Sequence, residues 1–213
     1  RSGSERAEGV KFQSLERTAD GEWCLNGDYQ APLVIGAGGH FCPVAATIGE
    51  GPGSHETSVT AKEVEFEMTP QQARRCRGGF LNVGLGREDP NDLKSHLNDF
   101  VARMQAEERI PEDLPGKFKG HAYLLYDHAE RPLVNDGILL IGDSAGLAYT
   151  QSGEGIRPAV ESAFLAADVI QDASDYSADS LQLYADRLRE RFGTREVEQE
   201  GGLVLPDWAK LRI

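Results

Sequence analysis

The residues best placed to do chemistry fall in one stretch of the chain. Gly142-Asp143-Ser144-Ala145-Gly146 follows the wholly apolar run Ile138-Leu139-Leu140-Ile141, and Gly153-Glu154-Gly155-Ile156-Arg157 comes shortly after. So continuous an apolar run reads as a strand central in a sheet. In open α/β sheets, ligands bind beyond the carboxyl ends of the strands. A carboxylate at Asp143 can accept hydrogen bonds from sugar or sugar-alcohol hydroxyls, and Gly142 beside it has no side chain to block close approach. Pro158 is tolerated only in the first turn of a helix, which puts a helix start close to Gly155. That start offers free N–H donors and about half a positive charge, suited to a phosphate or a developing anion. The plainer reading makes Asp143 an N-cap, Gly153 and Gly155 turn residues, and Glu154 a first-turn acid in the helix field.

A second segment, Leu33-Val34-Ile35-Gly36-Ala37-Gly38-Gly39-His40-Phe41, also runs an apolar strand into Gly-x-Gly. As a dinucleotide fingerprint it is incomplete. Phe41 replaces the third glycine and Pro43 follows. The ribose-binding acid expected roughly 20 residues on would be Glu56, in a Gly/Pro/Ser-rich loop. The alternative is a strand-end turn that needs glycine for its backbone angles. Nearby Cys42 reads as a small buried hydrophobe rather than a redox thiol. Arg74, Arg75 and Arg77 form a basic cluster, read as a solvated loop with a cofactor phosphate as the alternative. No Gly-x-Ser-x-Gly elbow occurs. No catalytic acid, base or nucleophile is assigned, and the spacing of the histidines and cysteines gives no metal site.

The elements that must position these residues can be read from periodicity. Short strands broken by turns run from Val10 to Ile35. Val10, Phe12 and Leu15 lie in the first, and Trp23 and Leu25 in the second. Asp20-Gly21 and Asn26-Gly27 are turn signals. This meander leads into a strand at Leu33–Ile35, expected to be buried on both faces. Lys62 to Met68 alternates, with Val64, Phe66 and Met68 on one side and Glu63, Glu65 and Glu67 on a wet face. Phe80 to Leu85 is a second strand, weakened by Gly84. Asp89-Pro90 reads as a helix start with Asp89 as cap, followed by an apolar stripe of Leu93, Leu97, Phe100, Val101 and Met104. Arg109 to Lys119 is a loop and Ala122 to Tyr126 is strand-like. Past Gly155, the residues Ile156, Val160, Ala163, Phe164, Ala167 and Ile170 share one helix face, expected to pack inward. A last helix runs from about Ser177 to Phe192, with Leu181, Tyr184 and Leu188 inward and Gly193 as its stop. Trp208 is expected to dock the tail.

The 213 residues allow one large domain or two small ones, and 39% hydrophobic with 27% charged residues suits a globular chain. With 35 acidic against 22 basic residues the net charge is −13, which repels phosphate backbones and argues against nucleic acid as a partner. No apolar run approaches the roughly 18 residues of a membrane span, which leaves only peripheral membrane contact open. Cys24, Cys42 and Cys76 form no CxxC pair, and with no signal peptide this points to a reducing, cytoplasmic setting.

The Gly142–Gly146 segment, followed by Ser152-Gly153-Glu154-Gly155-Ile156-Arg157-Pro158-Ala159, resembles the Gly-Asp motif of FAD-dependent oxidoreductases of the geranylgeranyl-reductase-like family. That family is related to the p-hydroxybenzoate hydroxylase type of flavoprotein. Val34-Ile35-Gly36-Ala37-Gly38-Gly39 resembles the superfamily's Gly-Ala-Asp-Gly motif, with Gly38 in place of Asp. Phe80-Leu81-Asn82-Val83-Gly84-Leu85-Gly86 matches as well. The resemblance implies FAD as cofactor, with Gly36, Gly38, Gly142, Asp143, Gly153, Glu154, Gly155, Ile156 and Arg157 around it. Asp143 would bind the ribityl chain, and the Gly153–Arg157 helix start would face the pyrimidine end of the isoalloxazine. It implies reduction of an isoprenoid-like double bond in a small lipophilic substrate, with NAD(P)H as an electron donor. A flavin monooxygenase is the alternative. The family's opening βαβ unit with Gly-x-Gly-x-x-Gly is not found from Arg1 onward. Cys76-Arg77-Gly78-Gly79 stands where the family has Tyr-x-Trp-x-Phe, and Thr150 where it has Pro. A truncated fragment that holds no cofactor is therefore a third expectation. The expected fold is α/β: an incomplete FAD/NAD(P)-binding Rossmann-like sheet with a β-meander (residues 1–50 and 127–175), a smaller α+β substrate domain (51–126) and a C-terminal helical segment (176–213).

Overall fold

The structure is a computed structural model that describes residues 4–49, 58–73 and 79–193. The readings placed on Glu56, Arg74, Arg75, Cys76, Arg77 and Trp208 lie outside the described residues. In chain order the elements are β1 (Leu15–Arg17), β2 (Trp23–Leu25), β3 (Tyr29–Ala31), β4 (Val34–Gly36), α1 (Pro43–Ile48), β5 (Ser58–Glu67), α2 (Pro70–Ala73), β6 (Phe80–Arg87), α3 (Leu93–Ala106), β7 (Lys119–Leu124), β8 (Val134–Asn135), β9 (Ile138–Leu140), α4 (Ile156–Asp172) and α5 (Ala178–Phe192).

The first three strands form the antiparallel meander β1-β2-β3. It begins at Leu15, so Val10 and Phe12 precede it rather than belong to it. Asn26 and Gly27 turn the chain between β2 and β3 with positive φ of 55° and 78°, the left-handed conformations these residues tolerate. The Trp23 indole donates to the Asp136 carbonyl at 3.0 Å and ties the meander to the β8–β9 turn.

The next sheet has the order β4-β9-β8, with β4 and β9 parallel and Gly36 opposite Leu140. Ile138, Leu139 and Leu140 are fully buried, as a central strand requires. Burial on both faces does not extend to β4, the outermost strand of this sheet, whose Ile35 is exposed. The helix α1 was not anticipated. Pro43 occupies its first turn, where the missing N–H costs nothing.

The third sheet, β6-β5-β7, is antiparallel. β5 changes its buried face partway along. Val64 and Phe66 pack with Val83, Phe100 and Val101 beneath α3, whereas Val59 packs on the opposite side with Tyr123, Leu125 and Ala148. One strand thus serves two cores. Gly84 does not interrupt β6, which pairs with β5 from Phe80 to Arg87. Asp89 is not the cap of α3. Its carboxylate accepts the Asn91 amide in a local turn, and the helix begins after Asp92, which has a φ of 56°.

The largest departure lies in α4. Ile156, Val160 and Phe164 point outward, with Ile156 81% and Phe164 69% exposed. The buried residues are Pro158, Ser162, Ala166 and Val169. The cause is close approach. A Cβ at Gly142 would lie 2.9 Å from that of Ala159, so this face of α4 sits almost on the backbone of the preceding turn and admits only small side chains. α5 follows its expectation. Leu181, Tyr184 and Leu188 are fully buried, Ser177 caps the start, and Gly193 ends the helix with φ 96°. The Tyr184 hydroxyl donates to the Leu140 carbonyl at 2.6 Å, fixing α5 over the sheet.

Candidate functional site

Because β4 and β9 are parallel neighbours, their glycine-rich turns emerge side by side at the carboxyl edge of the sheet. Several bonds hold the two turns together. The Gly39 amide donates to Ser144 Oγ at 3.0 Å. Arg131, buried, donates through Nη1 to the carbonyls of His40 (2.8 Å) and Ser144 (3.2 Å). A buried guanidinium that spans both turns fixes their spacing and puts a positive charge beneath them. Nothing in the local pattern Glu130-Arg131-Pro132 signals this role; it emerges only from the tertiary contacts.

Asp143 stands in a short 3₁₀ turn, Gly142–Ala145, immediately after β9. A Cβ built on Gly155 would come within 2.9 Å of its Oδ1, so the carboxylate lies against the start of α4. It caps neither helix: α4 has Gly155 at its N-cap position, the 3₁₀ turn has Ile141, and neither carries a side-chain cap bond. Among the described residues the carboxylate accepts no hydrogen bond. Burial pushes its pKa above the ordinary carboxylate value, and the opposing pull of His121, His40 and Arg131 does not cancel this. An acid that is half-buried, lacks partners and faces a helix N-terminus can accept ligand hydroxyls.

The other expected site residues divide. Gly153 has φ 68°, and a Cβ there would lie 2.5 Å from the Tyr123 hydroxyl. Gly155 lies against Asp143. Glu154 takes the plainer role, since its Oε1 accepts the Arg157 amide at 2.7 Å and satisfies one of the helix's open donors. The Arg157 guanidinium turns away to Glu161 at 2.7 Å. The Gly155 and Ile156 amides donate no hydrogen bond among the described residues. Gly142 corrects an expectation: the space its missing side chain leaves is filled by Ala159, and its amide donates to Ser162 Oγ at 3.0 Å. Gly36 and Gly38 also have packing reasons. A Cβ on Gly36 would come within 2.5 Å of Leu140 Cδ2, and one on Gly38 within 3.3 Å of Cys42. Cys42 is buried, as expected. Burial alone would raise its thiol, but hydrogen bonds from Ser144 and the backbone around Ala45, Gly38 and Val44 outweigh that and hold it below its ordinary value.

The third sheet supplies residues the sequence reading passed over. His121 and Tyr123 share one face of β7 and stack with ring centroids 5.8 Å apart. His121 Nδ1 is 3.9 Å from Glu63, itself hydrogen-bonded by Asn82 at 3.1 Å. The acidic face of β5 is therefore not merely wet. Among the described residues no group of three or more His, Cys, Asp or Glu side chains is arranged to hold a metal ion, and no helix is long and apolar enough to cross a membrane.

No family model matches the chain. It is similar to the digeranylgeranylglycerophospholipid reductase 3 of Methanosphaera stadtmanae, with 36% identity over 87% of this chain and 55% of that protein. Among solved structures it resembles a geranylgeranyl bacteriochlorophyll reductase-like protein from Thermoplasma acidophilum (TM-score 0.61, 20% identity, 86% of this chain and 54% of that one). It also resembles Klebsiella pneumoniae HpxO, solved with FAD and uric acid (TM-score 0.56, 16% identity, 86% and 56%). The chain thus spans about half the length of the Methanosphaera stadtmanae relative, and it matches 30% of the Methanocaldococcus jannaschii digeranylgeranylglycerophospholipid reductase, at 29% identity over 54% of this chain. These likenesses give the fold: α/β, with part of the Rossmann-like sheet those proteins share, its meander and an adjoining antiparallel sheet.

Proposed function

We infer that this chain, a relative of the geranylgeranyl-reductase-like flavoproteins, is the flavin-facing and substrate-facing part of an FAD-dependent oxidoreductase. The observation that carries this reading is the unpartnered Asp143 carboxylate beside the open amides of Gly155 and Ile156. These residues fit a flavin. A carboxylate suits the hydroxyls of a ribityl chain, and open amides at a helix start suit the ring edge that collects negative charge on reduction. In this reading Asp143, Gly153, Gly155 and Ile156 hold FAD directly. Glu154 and Arg157 shape the helix start, and Gly36, Gly38 and Gly142 let the turns approach closely. FAD, when bound, supplies two-electron chemistry.

The reaction we propose is reduction of a double bond in a lipophilic, isoprenoid-like substrate, with NAD(P)H or another reductant as donor. The kinship to digeranylgeranylglycerophospholipid reductases supports it. The division of labour follows the sheets: residues 1–50 and 127–175 serve the flavin, 51–126 the substrate, and α5 covers the first part. A monooxygenase is the second reading, favoured by the likeness to PqsL, described as a probable FAD-dependent monooxygenase. Oxygen consumption with a hydroxylated product marks that alternative, and a saturated product without oxygen dependence marks the reductase.

Titration of the purified chain with FAD, followed by visible absorbance, tests the site. A saturable spectral change is expected, and Asp143→Ala should weaken binding by about 1–3 kcal/mol, roughly 5- to 150-fold. Unchanged affinity in the variant would remove Asp143 from the site. A chain that never takes up FAD would leave the non-binding fragment as the answer.

A further inference from the structure

The face of β7 that carries His121 and Tyr123 is turned toward the Asp143 site, and no part of the flavin reading uses it. Tyr123 reaches from the antiparallel sheet to the turn that opens α4. Cβ atoms built on Gly153 and Gly86 would stand 2.5 Å and 3.2 Å from its hydroxyl. Both positions are glycine: a side chain at Gly153 would displace this hydroxyl, and one at Gly86 would crowd it. Among the described residues the hydroxyl donates no hydrogen bond. The charged and titratable groups that face it are Asp143 from the β9–α4 connection, Glu63 from β5 and His121 from its own strand.

We propose that Tyr123 is the proton donor on the substrate side of this site, with His121 and Glu63 behind it as positioning residues. The proposal rests on the reductase reading above. Saturating a carbon–carbon double bond requires two electrons and two hydrogens; FAD, bound and reduced, would supply these as a hydride, which leaves a proton for an acid of this chain to supply. With that hydride on one carbon of the double bond, the Tyr123 hydroxyl proton would form the C–H bond at the other. The O–H bond breaks and the oxygen keeps its electron pair. The phenolate then recovers a proton from water along the half-exposed His121 edge. Burial, then the Asp143 and Glu63 carboxylates, hold the phenol above its ordinary pKa, so it stays protonated at neutral pH.

The test compares the full chain with Tyr123→Phe, using FAD, dithionite as reductant and geranylgeranyl diphosphate as the probe. The variant should bind FAD within twofold of wild type and form saturated product about 10²- to 10⁴-fold more slowly, the usual share of a general acid. His121→Gln should shift the pH–rate profile without changing FAD affinity. Saturation by Tyr123→Phe at the wild-type rate overturns the proposal, as does loss of FAD binding together with rate, which marks a packing role. A wild-type chain that binds FAD and saturates nothing overturns the reductase reading itself. A readout independent of flavin is the ultraviolet titration of the phenolate, taken as wild type minus Tyr123→Phe. The midpoint should lie above that of free tyrosine and fall in Asp143→Asn; a midpoint indifferent to Asp143 refutes the placement.

Discussion

The turns that follow β4 and β9 are both rich in glycine and stand side by side, yet their glycines serve different ends. In the first turn the missing side chains are taken up by the protein itself: Leu140, Cys42 and Val44 fill the volume at Gly36, and Cys42 backs onto Gly38. At the start of α4 the glycines lie against polar groups without partners, Asp143 beside Gly155 and the Tyr123 hydroxyl beside Gly153. Glycine after a buried strand therefore marks close approach, and the neighbour decides whether that approach is for packing or for a ligand. A fully buried leucine is satisfied where it is. A carboxylate raised by burial is not, and it gains from a hydroxyl donor.

One alanine in each turn tests this contrast most forcefully. Gly36→Ala puts a methyl 2.5 Å from Leu140 Cδ2, inside a core with no room to yield. It should cost about 1–3 kcal/mol of stability, as overpacking does, seen as a lower denaturation midpoint in urea. Gly155→Ala puts its methyl 2.9 Å from Asp143 Oδ1, the free end of a side chain that can swing. The backbone there has φ −115°, which alanine adopts without strain. The urea midpoint should hardly move while FAD affinity falls. Equal destabilisation of the two variants would erase the distinction between the turns.

The contrast also explains what could be read in the sequence. Alternation gives the second half of β5, because Val64 and Phe66 are buried against α3 while Glu65 and Glu67 are not; Ser58 to Ala61, where Val59 and Ala61 bury the other face, break that alternation and were not legible. Pro158 and Gly155 fix the start of α4 to the residue. The inward face of α4 was not legible, because periodicity weighs large apolar residues and the packed face is built from small ones. Ser162 even donates to the Ala159 carbonyl and accepts the Gly142 amide while fully buried. Within the site, Asp143 and the helix start were legible from type and spacing. Arg131, His121 and Tyr123 were not, since each reaches the site across a sheet or between two turns from segments with no motif of their own.

The two faces of α4 extend the comparison with a smaller effect. Val169, about 1% exposed, lies on the packed side, and Val160 lies on the outer side. Val169→Ala should cost about 2 kcal/mol through lost burial and a residual cavity, and Val160→Ala less than about 0.5 kcal/mol. The reverse order in thermal or urea unfolding would restore the stripe that periodicity favours.

The smallest effect is the most diagnostic of an unsatisfied acid. The Asp143 pKa in the folded chain is above its ordinary value, so the folded state holds that proton more tightly than the unfolded state does. Below the ordinary carboxylate value both states are protonated and Asp143 costs nothing. As pH rises from there through the folded-state pKa, the unfolded chain ionises first, and Asp143 subtracts from stability until both states are charged. Asp143→Asn removes that penalty. The variant's melting temperature, relative to wild type, should therefore rise as pH increases from about 3.5 to 7, by a degree or so for a chain of this size. A carboxylate held by protein donors would give the opposite slope, because its loss would weaken the folded state most at neutral pH. The sign alone separates the two cases: a gain on substitution means the acid is kept in the fold at a cost to stability, and a ligand is the remaining reason to keep it.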